Sequence, residues 1–246
     1  MPDQPNLRGF RPRSSRAPET CTKPVPIGYK GFTVRALLIA AKELAFAKSR
    51  LGRLPQRERE LLAQAMFRDV LDAAMNFKAA DCVAVVSSDS ALLELARRAG
   101  AMAIDERYPR GLNAAIVLGT RELVSAGVTT LCTLLSDTPL VTAADIEKVF
   151  AALRAERGVV LVPSRDARGT NIILRRPADA VPTRFGKSSL ALHRLECERL
   201  GVPCNVLHLP GPAMDLDEVA DLIDFISLAN SSHTLSQLSR FELALS

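Results

Sequence analysis

The sequence predicts an α/β fold, with a mostly parallel β-sheet that carries helices on both of its faces. Short aliphatic runs alternate along the chain with stretches in which apolar residues recur at three- and four-residue steps. The aliphatic runs are nearly continuous, which is typical of strands that are buried on both faces. Strand–helix alternation of this kind is the pattern of a parallel sheet covered by helices.

Seven aliphatic runs are the predicted strands. They span residues 33–41, 82–88, 101–104, 129–136, 158–164, 170–176 and 204–210. The fifth and sixth runs are separated only by Ser-Arg-Asp-Ala-Arg-Gly. That short connection predicts a hairpin inserted late in the sheet.

The helices are predicted from apolar spacing and from residues that begin or end helices. Gly100 and Gly201 stand where two helices are expected to end. Thr142-Ala-Ala-Asp is the pattern of a capping box. The residues predicted to cap or begin helices are Pro55, Ser90, Thr142, and Ser188 or Ser189.

The composition excludes several classes of protein. The 246 residues are 48% hydrophobic, which is enough for a sizeable core. No run of about 18 apolar residues is present, so we expect no membrane association through a spanning helix. The first residues lack the apolar stretch of a secretory signal, and the five cysteines form no C-x-x-C pair. We therefore expect a cytoplasmic protein.

The charge distribution argues against a nucleic-acid partner. Residues 1–35 hold seven basic and two acidic residues, which accounts for the whole net charge of +5. A neutral domain with a basic tail lacks the clustered cations that bind nucleic acid. We expect residues 1–30 to be a disordered basic tail, 31–230 to be the functional domain, and 231–246 to be a polar break followed by a short helix.

Charged side chains follow three of the predicted strands. Lys42, Lys48 and Arg50 follow the first run, Asp137 follows the fourth, and Asp215 and Asp217 follow the last. Ligands of open parallel sheets bind beyond the carboxyl ends of the strands, so these groups are expected to meet at one edge. Magnesium takes oxygen ligands from carboxylates and substrate phosphates, and such a convergence suits Mg²⁺ beside a triphosphate.

Each of these groups also has an ordinary structural interpretation. The cations are typical of a solvated turn, Asp137 of a turn before Thr-Pro, and Asp217 of a helix cap. Their convergence favours a site. In an extended segment, Asp215 and Asp217 would point to the same side, so both can face one ion.

Two other kinds of site are not indicated. We find neither a nucleophilic triad nor a P-loop, and we interpret His193, in a helical stretch, as a packing or surface residue. Without a glycine-rich loop, phosphate charge would be met by the side chains of Lys42, Lys48 and Arg50.

Four motifs, in order, resemble one family. They are A-A-K-E-L-A-F-A-K-S-R-L at 40–51, G-L-N-A-A-I at 111–116, S-D-T-P-L at 136–140, and R-G-T-N at 168–171 with R-F-G-K-S-S-L-A-L-H at 184–193, leading to D-L-D at 215–217. Together they resemble the CofC-type guanylyltransferases of deazaflavin coenzyme F-420 biosynthesis. The likeness runs from about Thr33 to Leu222.

The resemblance implies a glycosyltransferase-A-like nucleotidyltransferase sandwich and a set of site residues. It implies that Asp137, Asp215 and Asp217 hold magnesium. It places Thr170, Gly186 and Ser189 around the phospho-acid acceptor, and Asn113 near the nucleotide together with Lys42, Lys48 and Arg50. Lys48 and Asp137 would serve catalysis. One departure is that relatives more often read Gly-Asp-Leu-Pro where this chain has Ser136 and Thr138 around Asp137.

The implied reaction joins GMP from GTP to the phosphate of a three-carbon phospho-acid. Phosphoenolpyruvate is favoured, because Leu112 and Ile116 resemble the apolar pocket wall of relatives that use it. 2-Phospho-L-lactate and 3-phospho-D-glycerate stay open. Two other functions also stay open: a related nucleotidyltransferase that uses another base or a sugar phosphate, and a non-catalytic relative of the fold. Assembly as a homodimer is possible as well.

Overall fold

A computed structural model describes residues 33–48, 50–52 and 54–241. The predicted basic tail, residues 1–30, lies outside these ranges. All seven predicted strands are present. Their bounds are β1 Arg35–Ala40, β2 Cys82–Ser87, β3 Met102–Asp105, β4 Thr130–Leu135, β5 Gly158–Pro163, β6 Thr170–Arg176 and β7 Cys204–Val206.

The strands form one sheet in the order β3-β2-β1-β4-β6-β5-β7. Strand β6 runs antiparallel to both of its neighbours, and the other pairings are parallel. The predicted hairpin is therefore confirmed as β5–β6. Because β6 runs in the opposite direction, its first residue, Thr170, pairs with Pro163 at the carboxyl end of β5. The edge where the parallel strands end thus also contains the beginning of β6.

The described ranges also contain eight α-helices and a 3₁₀ turn at Leu44–Phe46. The helices are α1 Gln56–Asn76, α2 Ser90–Arg98, α3 Leu112–Ser125, α4 Ala143–Ala151, α5 Ser189–Arg199, α6 Pro210–Ala213, α7 Val219–Leu228 and α8 His233–Leu238. None of these helices has the length and apolarity that crossing a bilayer requires, within the part of the chain that is described.

Local signals predicted most helix ends correctly. The capping box at Thr142 is confirmed, since its hydroxyl accepts from the backbone N–H of Asp145 and the Asp145 side chain accepts from Thr142. The prediction that Ser90 caps α2 is wrong. Asp89 is the cap, because its carboxylate accepts from the backbone N–H groups of Ala91 and Leu92.

Two apolar clusters cover the two faces of the sheet. Along β1, Leu37 and Ile39 face one cluster, which includes side chains from α1, α2 and α4. Ala36 and Leu38 face the other, which includes side chains from α3 and α5. These strand residues are fully buried. Helices on both faces, as predicted, are therefore confirmed.

A third apolar cluster lies beside the edge of the sheet where the parallel strands end. It joins Leu51, from the turn after β1, to Leu216, from the segment before α7, and both side chains are fully buried. Met66 of α1 and Phe225 of α7 complete its centre. The cluster holds together two segments that are far apart in the sequence, and charged residues flank it on both.

Candidate active site

Lys48 connects the carboxyl end of β4 to the segment before α7. Its Nζ atom lies 3.1 Å from Oδ2 of Asp137 and 2.9 Å from Oδ1 of Asp217. The Lys48 side chain is only 6% exposed. Arg50 reaches the same acidic segment from solvent, with its NH1 atom 3.1 Å from Oδ2 of Asp217. The predicted convergence of the cationic turn with two of the strand ends is therefore seen.

Packing and backbone geometry bring these groups together. Lys48 has a φ of 52°, a left-handed conformation that is uncommon for a lysine. Leu51 and Leu216 are anchored in the same apolar cluster. The backbone N–H of Leu216 also donates to the carbonyl of Asp137, at 3.2 Å. The residues on either side of Leu216 are thereby fixed beside the end of β4.

The charges in the site are strongly coupled. Burial lowers the pKa of Lys48, but Asp137 and Asp217 outweigh that effect and the net pKa is raised. Burial raises the pKa of Asp217, but Lys48, Arg50 and Lys42 outweigh it, and the net pKa is lowered. Lys48 is therefore a fixed positive charge and Asp217 a fixed negative one.

Asp215 and Asp137 carry negative charge that the cations do not fully satisfy. Burial, followed by the charges of Asp137 and Asp217, raises the pKa of Asp215. Its Oδ1 atom has one long contact, 3.5 Å from Nδ2 of Asn171. The Oδ1 atom of Asp137 is buried and has no hydrogen-bond partner among the described residues. Each carboxylate thus has an oxygen available for a positively charged ligand.

The three aspartates do not themselves form a closed metal cage. Within residues 33–48, 50–52 and 54–241, no group of three or more acidic, histidine or cysteine side chains is close enough to hold a metal ion. The Lys48 ammonium group lies between Asp137 and Asp217. Magnesium is commonly bound by only one or two carboxylates plus substrate phosphates, so a closed cage is not what this chemistry requires.

The alternative role of Asp217 as a helix cap is not what the structure has. Glu218 is the cap of α7, in a reciprocal capping box with Asp221. The side chain of Asp217 instead faces Lys48 and Arg50. The carboxylate of Asp217 therefore does not cap α7.

A cavity of about 150 Å³ lies beyond the ends of β1, β2 and β3. Its lining includes Lys42, Glu43, Phe46, Glu106 and Leu112. Lys42 thus lines this cavity, and its charge also helps to lower the pKa of Asp217. Ile116, by contrast, is fully buried in the core, so its predicted role as a pocket wall is wrong.

The residues predicted to hold the acceptor lie at the start of β6 and the start of α5. Thr170 and Ser189 are 2% and 1% exposed. Gly186 has a φ of +125°, and apart from its own chain neighbours no atom of the described residues lies within 4 Å of the position that a Cβ would take. A bare backbone beside a helix N-terminus is suited to an anionic ligand.

Asn113 lies at the start of α3 and binds the backbone of the acceptor loop. Its Oδ1 atom accepts from the N–H of Phe185, and its Nδ2 atom donates to the carbonyl of Phe185, both at 2.8 Å. The side chain thereby links α3 to the loop before α5. A direct contact between Asn113 and the nucleotide stays a prediction.

Two polar residues of the site were not identified from the sequence. Asn171 donates to the carbonyl of Pro212 at 3.0 Å and also approaches Asp215. His193 is fully buried, and its Nδ1 atom is 3.0 Å from Oγ1 of Thr170. Both lie in the motifs that resemble the family, and His193 follows Ser189 by one helical turn. The i, i+4 spacing of Ser189 and His193 puts both on one face of a helix, and it is the sequence signal that could have placed His193 in the site.

The unusual residues around Asp137 fit the turn without strain. Thr138 is fully buried, and its hydroxyl donates to the carbonyl of Leu135 at 3.1 Å. Ser136 does not have a positive φ, so the conformational freedom of glycine is not needed there. The departure from Gly-Asp-Leu-Pro therefore leaves the Asp137 turn intact.

Comparison with protein families and curated proteins places the chain among guanylyltransferases. Residues 35–246 match a family model described as guanylyl transferase CofC like. The chain is 39% identical over 186 residues to a phosphoenolpyruvate guanylyltransferase of Sphaerobacter thermophilus, covering 75% of this chain and 89% of that protein. It is 34% identical to a 3-phospho-D-glycerate guanylyltransferase of Phenylobacterium zucineum, covering 72% and 83%.

Solved structures share the fold at low sequence identity. A putative nucleotide-diphospho-sugar transferase from Desulfovibrio desulfuricans has a TM-score of 0.68 at 18% identity, covering 85% of this chain and 95% of that one. A nucleotidyl transferase from Methanothermobacter thermautotroptrophicus has a TM-score of 0.59 at 15% identity, covering 80% and 98%. The predicted nucleotidyltransferase fold is confirmed.

Proposed function

Because the chain belongs to the family of CofC-like guanylyl transferases, we propose that it transfers GMP from GTP to the phosphate of a three-carbon phospho-acid. The observation that carries the proposal is the buried Lys48 ammonium group between Asp137 and Asp217, at the edge where the parallel strands end. A fixed cation and available carboxylate oxygens at that edge suit a triphosphate with its counter-ion. The product would serve the biosynthesis of deazaflavin coenzyme F-420, in the cytoplasm.

The reaction is a displacement at the α-phosphorus of GTP. An oxygen of the acceptor phosphate forms a bond to the α-phosphorus, and the bond from that phosphorus to the oxygen of the β-phosphate breaks. Pyrophosphate leaves with the electron pair of the broken bond. The attacking phosphate oxygen is already anionic, so no protein nucleophile or general base is required. The enzyme's task is to position two anions and reduce their repulsion.

Lys48 and Arg50 are the residues proposed to reduce that repulsion. Lys48 is buried and held by two carboxylates, so its charge does not need to reorganise during the reaction. Arg50 is 67% exposed and can reach the outer phosphates. Lys42, which lines the cavity beyond β1–β3, is proposed to bind the nucleotide from the other side.

Magnesium is the proposed cofactor, with Asp137, Asp215 and Asp217 as its ligands. The unpartnered Oδ1 atom of Asp137 and the raised pKa of Asp215 support this assignment, since both favour a bound cation. When bound, magnesium would neutralise phosphate charge and orient the triphosphate. Every residue of the proposed site comes from one chain, and assembly as a homodimer stays a prediction.

Phosphoenolpyruvate is the proposed acceptor. Relatives named phosphoenolpyruvate guanylyltransferase match the chain at up to 39% identity, and one relative is named 3-phospho-D-glycerate guanylyltransferase. The three candidate acceptors share a phosphate and a carboxylate, which the residues around Gly186 are suited to bind.

Competition among the three acceptors tests the proposal. The purified chain is incubated with GTP, MgCl₂ and equal amounts of phosphoenolpyruvate, 2-phospho-L-lactate and 3-phospho-D-glycerate, and guanylylated products are identified by mass spectrometry. The phosphoenolpyruvate adduct should dominate, with matching pyrophosphate release. A dominant adduct of another acceptor would change the substrate, and product from ATP, CTP or UTP instead of GTP would change the base. No pyrophosphate release with any pair would indicate a non-catalytic relative.

A further inference from the structure

His193 has a proton position that the surrounding backbone dictates. Its Nε2 atom lies 2.8 Å from the backbone nitrogen of Arg184, which donates to it. A backbone N–H is always a donor, so Nε2 must accept and carries no proton. In the neutral imidazole the proton is therefore on Nδ1.

The Nδ1 proton in turn fixes the role of the Thr170 hydroxyl. Nδ1 is 3.0 Å from Oγ1 of Thr170, so the imidazole donates and the threonine oxygen accepts. The hydroxyl has one proton of its own, and it cannot return that proton to a nitrogen that is already a donor. Among the described residues, no other hydrogen bond to the Thr170 side chain is present. The buried hydroxyl at the start of β6 thus has a proton to donate and no acceptor for it among the described residues.

The neighbours of His193 keep it neutral and in place. Burial, followed by the positive charges of Arg175 and Arg184, lowers its pKa to about 4, and Glu196 opposes this only weakly. The ring lies edge-on to Phe185, with centroids 5.1 Å apart and planes at 77°. Arg184 is itself held by a 2.7 Å ion pair with Glu196 of the same helix as His193.

We propose that His193 is a positioning residue that fixes the Thr170 hydroxyl as a hydrogen-bond donor toward an anionic oxygen of the acceptor. The inference rests on the proposed function, since it assigns Thr170 to the phospho-acid. A phosphate or carboxylate oxygen accepts only and satisfies the free hydroxyl proton. A ligand group that offers only a donor at the same point, such as an amide N–H, leaves the hydroxyl proton without an acceptor and is disfavoured. His193 therefore favours an acceptor that presents an accepting oxygen to Thr170, without touching the acceptor itself.

The test compares three variants and one control variant by their apparent KM for phosphoenolpyruvate and for GTP. His193→Gln should raise the KM for phosphoenolpyruvate about ten-fold or more, the size expected for a hydrogen bond to a charged group, and leave the KM for GTP nearly unchanged. Thr170→Val should do the same. In the double variant, the histidine change should add little to the valine change, because His193 acts through the hydroxyl that valine lacks. His233→Gln, at an exposed histidine on α8, is the matched control and should change neither constant.

Several outcomes would overturn the inference. They are an unchanged phosphoenolpyruvate KM in His193→Gln, equal rises for both substrates, or full additivity in the double variant. If His193→Gln fails to fold, ¹⁵N NMR of the parent decides instead: a protonated Nε2 at neutral pH contradicts the hydrogen-bond assignment, and a protonated Nδ1 supports it.

Binding separates this inference from the proposed function. If the parent does not turn over but phosphoenolpyruvate raises its melting temperature, and His193→Gln abolishes that rise, the inference stands and the proposed activity fails. If turnover is observed and the variant behaves like the parent, the activity stands and the inference fails. If phosphoenolpyruvate neither turns over nor raises the melting temperature, both fail.

Discussion

The side-chain amide of Asn113 forms two reciprocal hydrogen bonds with the backbone of Phe185, one accepted and one donated, each 2.8 Å long. Helix α3 is thereby tied to the loop that precedes α5. The loop contains Gly186, so Asn113 stabilises the proposed acceptor pocket whether or not it also contacts the nucleotide.

Asn113→Ala should therefore affect the acceptor more than GTP. Loss of both hydrogen bonds leaves the N–H and carbonyl of Phe185 without these partners, which costs about 1–3 kcal/mol of stability. We expect the apparent KM for phosphoenolpyruvate to rise several-fold and the KM for GTP to change little. A larger rise for GTP would instead support the predicted contact of Asn113 with the nucleotide.

Lys48→Met should reduce kcat by about 10²–10³-fold, because a preorganised charge near the reacting phosphates is removed. The variant also leaves Asp137 and Asp217 without their shared cation, so its melting temperature should depend on MgCl₂ more than that of the parent. Arg50→Met removes the exposed cation that pairs with the same Asp217, and it should lose less activity than Lys48→Met, since Arg50 is 67% exposed. An equal loss of activity in the two variants would contradict the prediction that the buried charge of Lys48 contributes more than the exposed charge of Arg50.

Asp217→Asn should abolish most activity while leaving the fold intact. Asp217 does not cap α7, and asparagine keeps the size of the side chain while removing its charge. Steady-state turnover at saturating MgCl₂ and the melting temperature are the measurements. Asp224→Asn, which removes a half-exposed charge on α7, should keep full activity. Activity of Asp217→Asn within a few-fold of the parent would contradict its role as a magnesium ligand.

The stability of the domain should fall in acid partly because of His193. Its pKa is about 4 in the folded state, against the ordinary 6.5 of a histidine in an unfolded chain, so the unfolded chain takes up the proton first. The stabilisation is present above pH 6.5 and is lost as the pH falls toward 4, by up to about 3 kcal/mol. Unfolding free energies across this range should decrease more steeply for the parent than for His193→Gln. Equal slopes would show that His193 is not neutral in the folded state.

The sequence predicted the sheet well because the strand signal is local. Continuous aliphatic runs identified all seven strands, and the short connection before Thr170 identified the hairpin. The run at 204–210 was overestimated: only Cys204–Val206 is a strand, since β7 is an edge strand paired only with β5 and Pro210 begins a helix. An aliphatic run does not show where pairing with a neighbour stops.

The site was predicted less completely because its contacts are long-range. The rule that ligands bind at strand ends was enough to bring Lys48, Asp137 and Asp217 together. It did not show that Lys48 would lie between the two carboxylates, which depends on the packing of Leu51 and Leu216. The role of His193 depends on a backbone N–H, and no residue pattern records where that atom lies.

The reversed direction of β6 places Thr170, at its start, at the edge where the parallel strands end. The residues proposed to contact the nucleotide directly all precede residue 138, and the proposed magnesium ligands Asp215 and Asp217 follow α5. Thr170, Gly186 and Ser189 come from one continuous segment between them, which begins with the β5–β6 hairpin and ends with α5. Asn113 binds the backbone of this segment at Phe185, and Asn171 of the segment approaches Asp215. We therefore expect that grafting residues 158–199 from a relative that uses another acceptor would change acceptor preference and leave the preference for GTP unchanged.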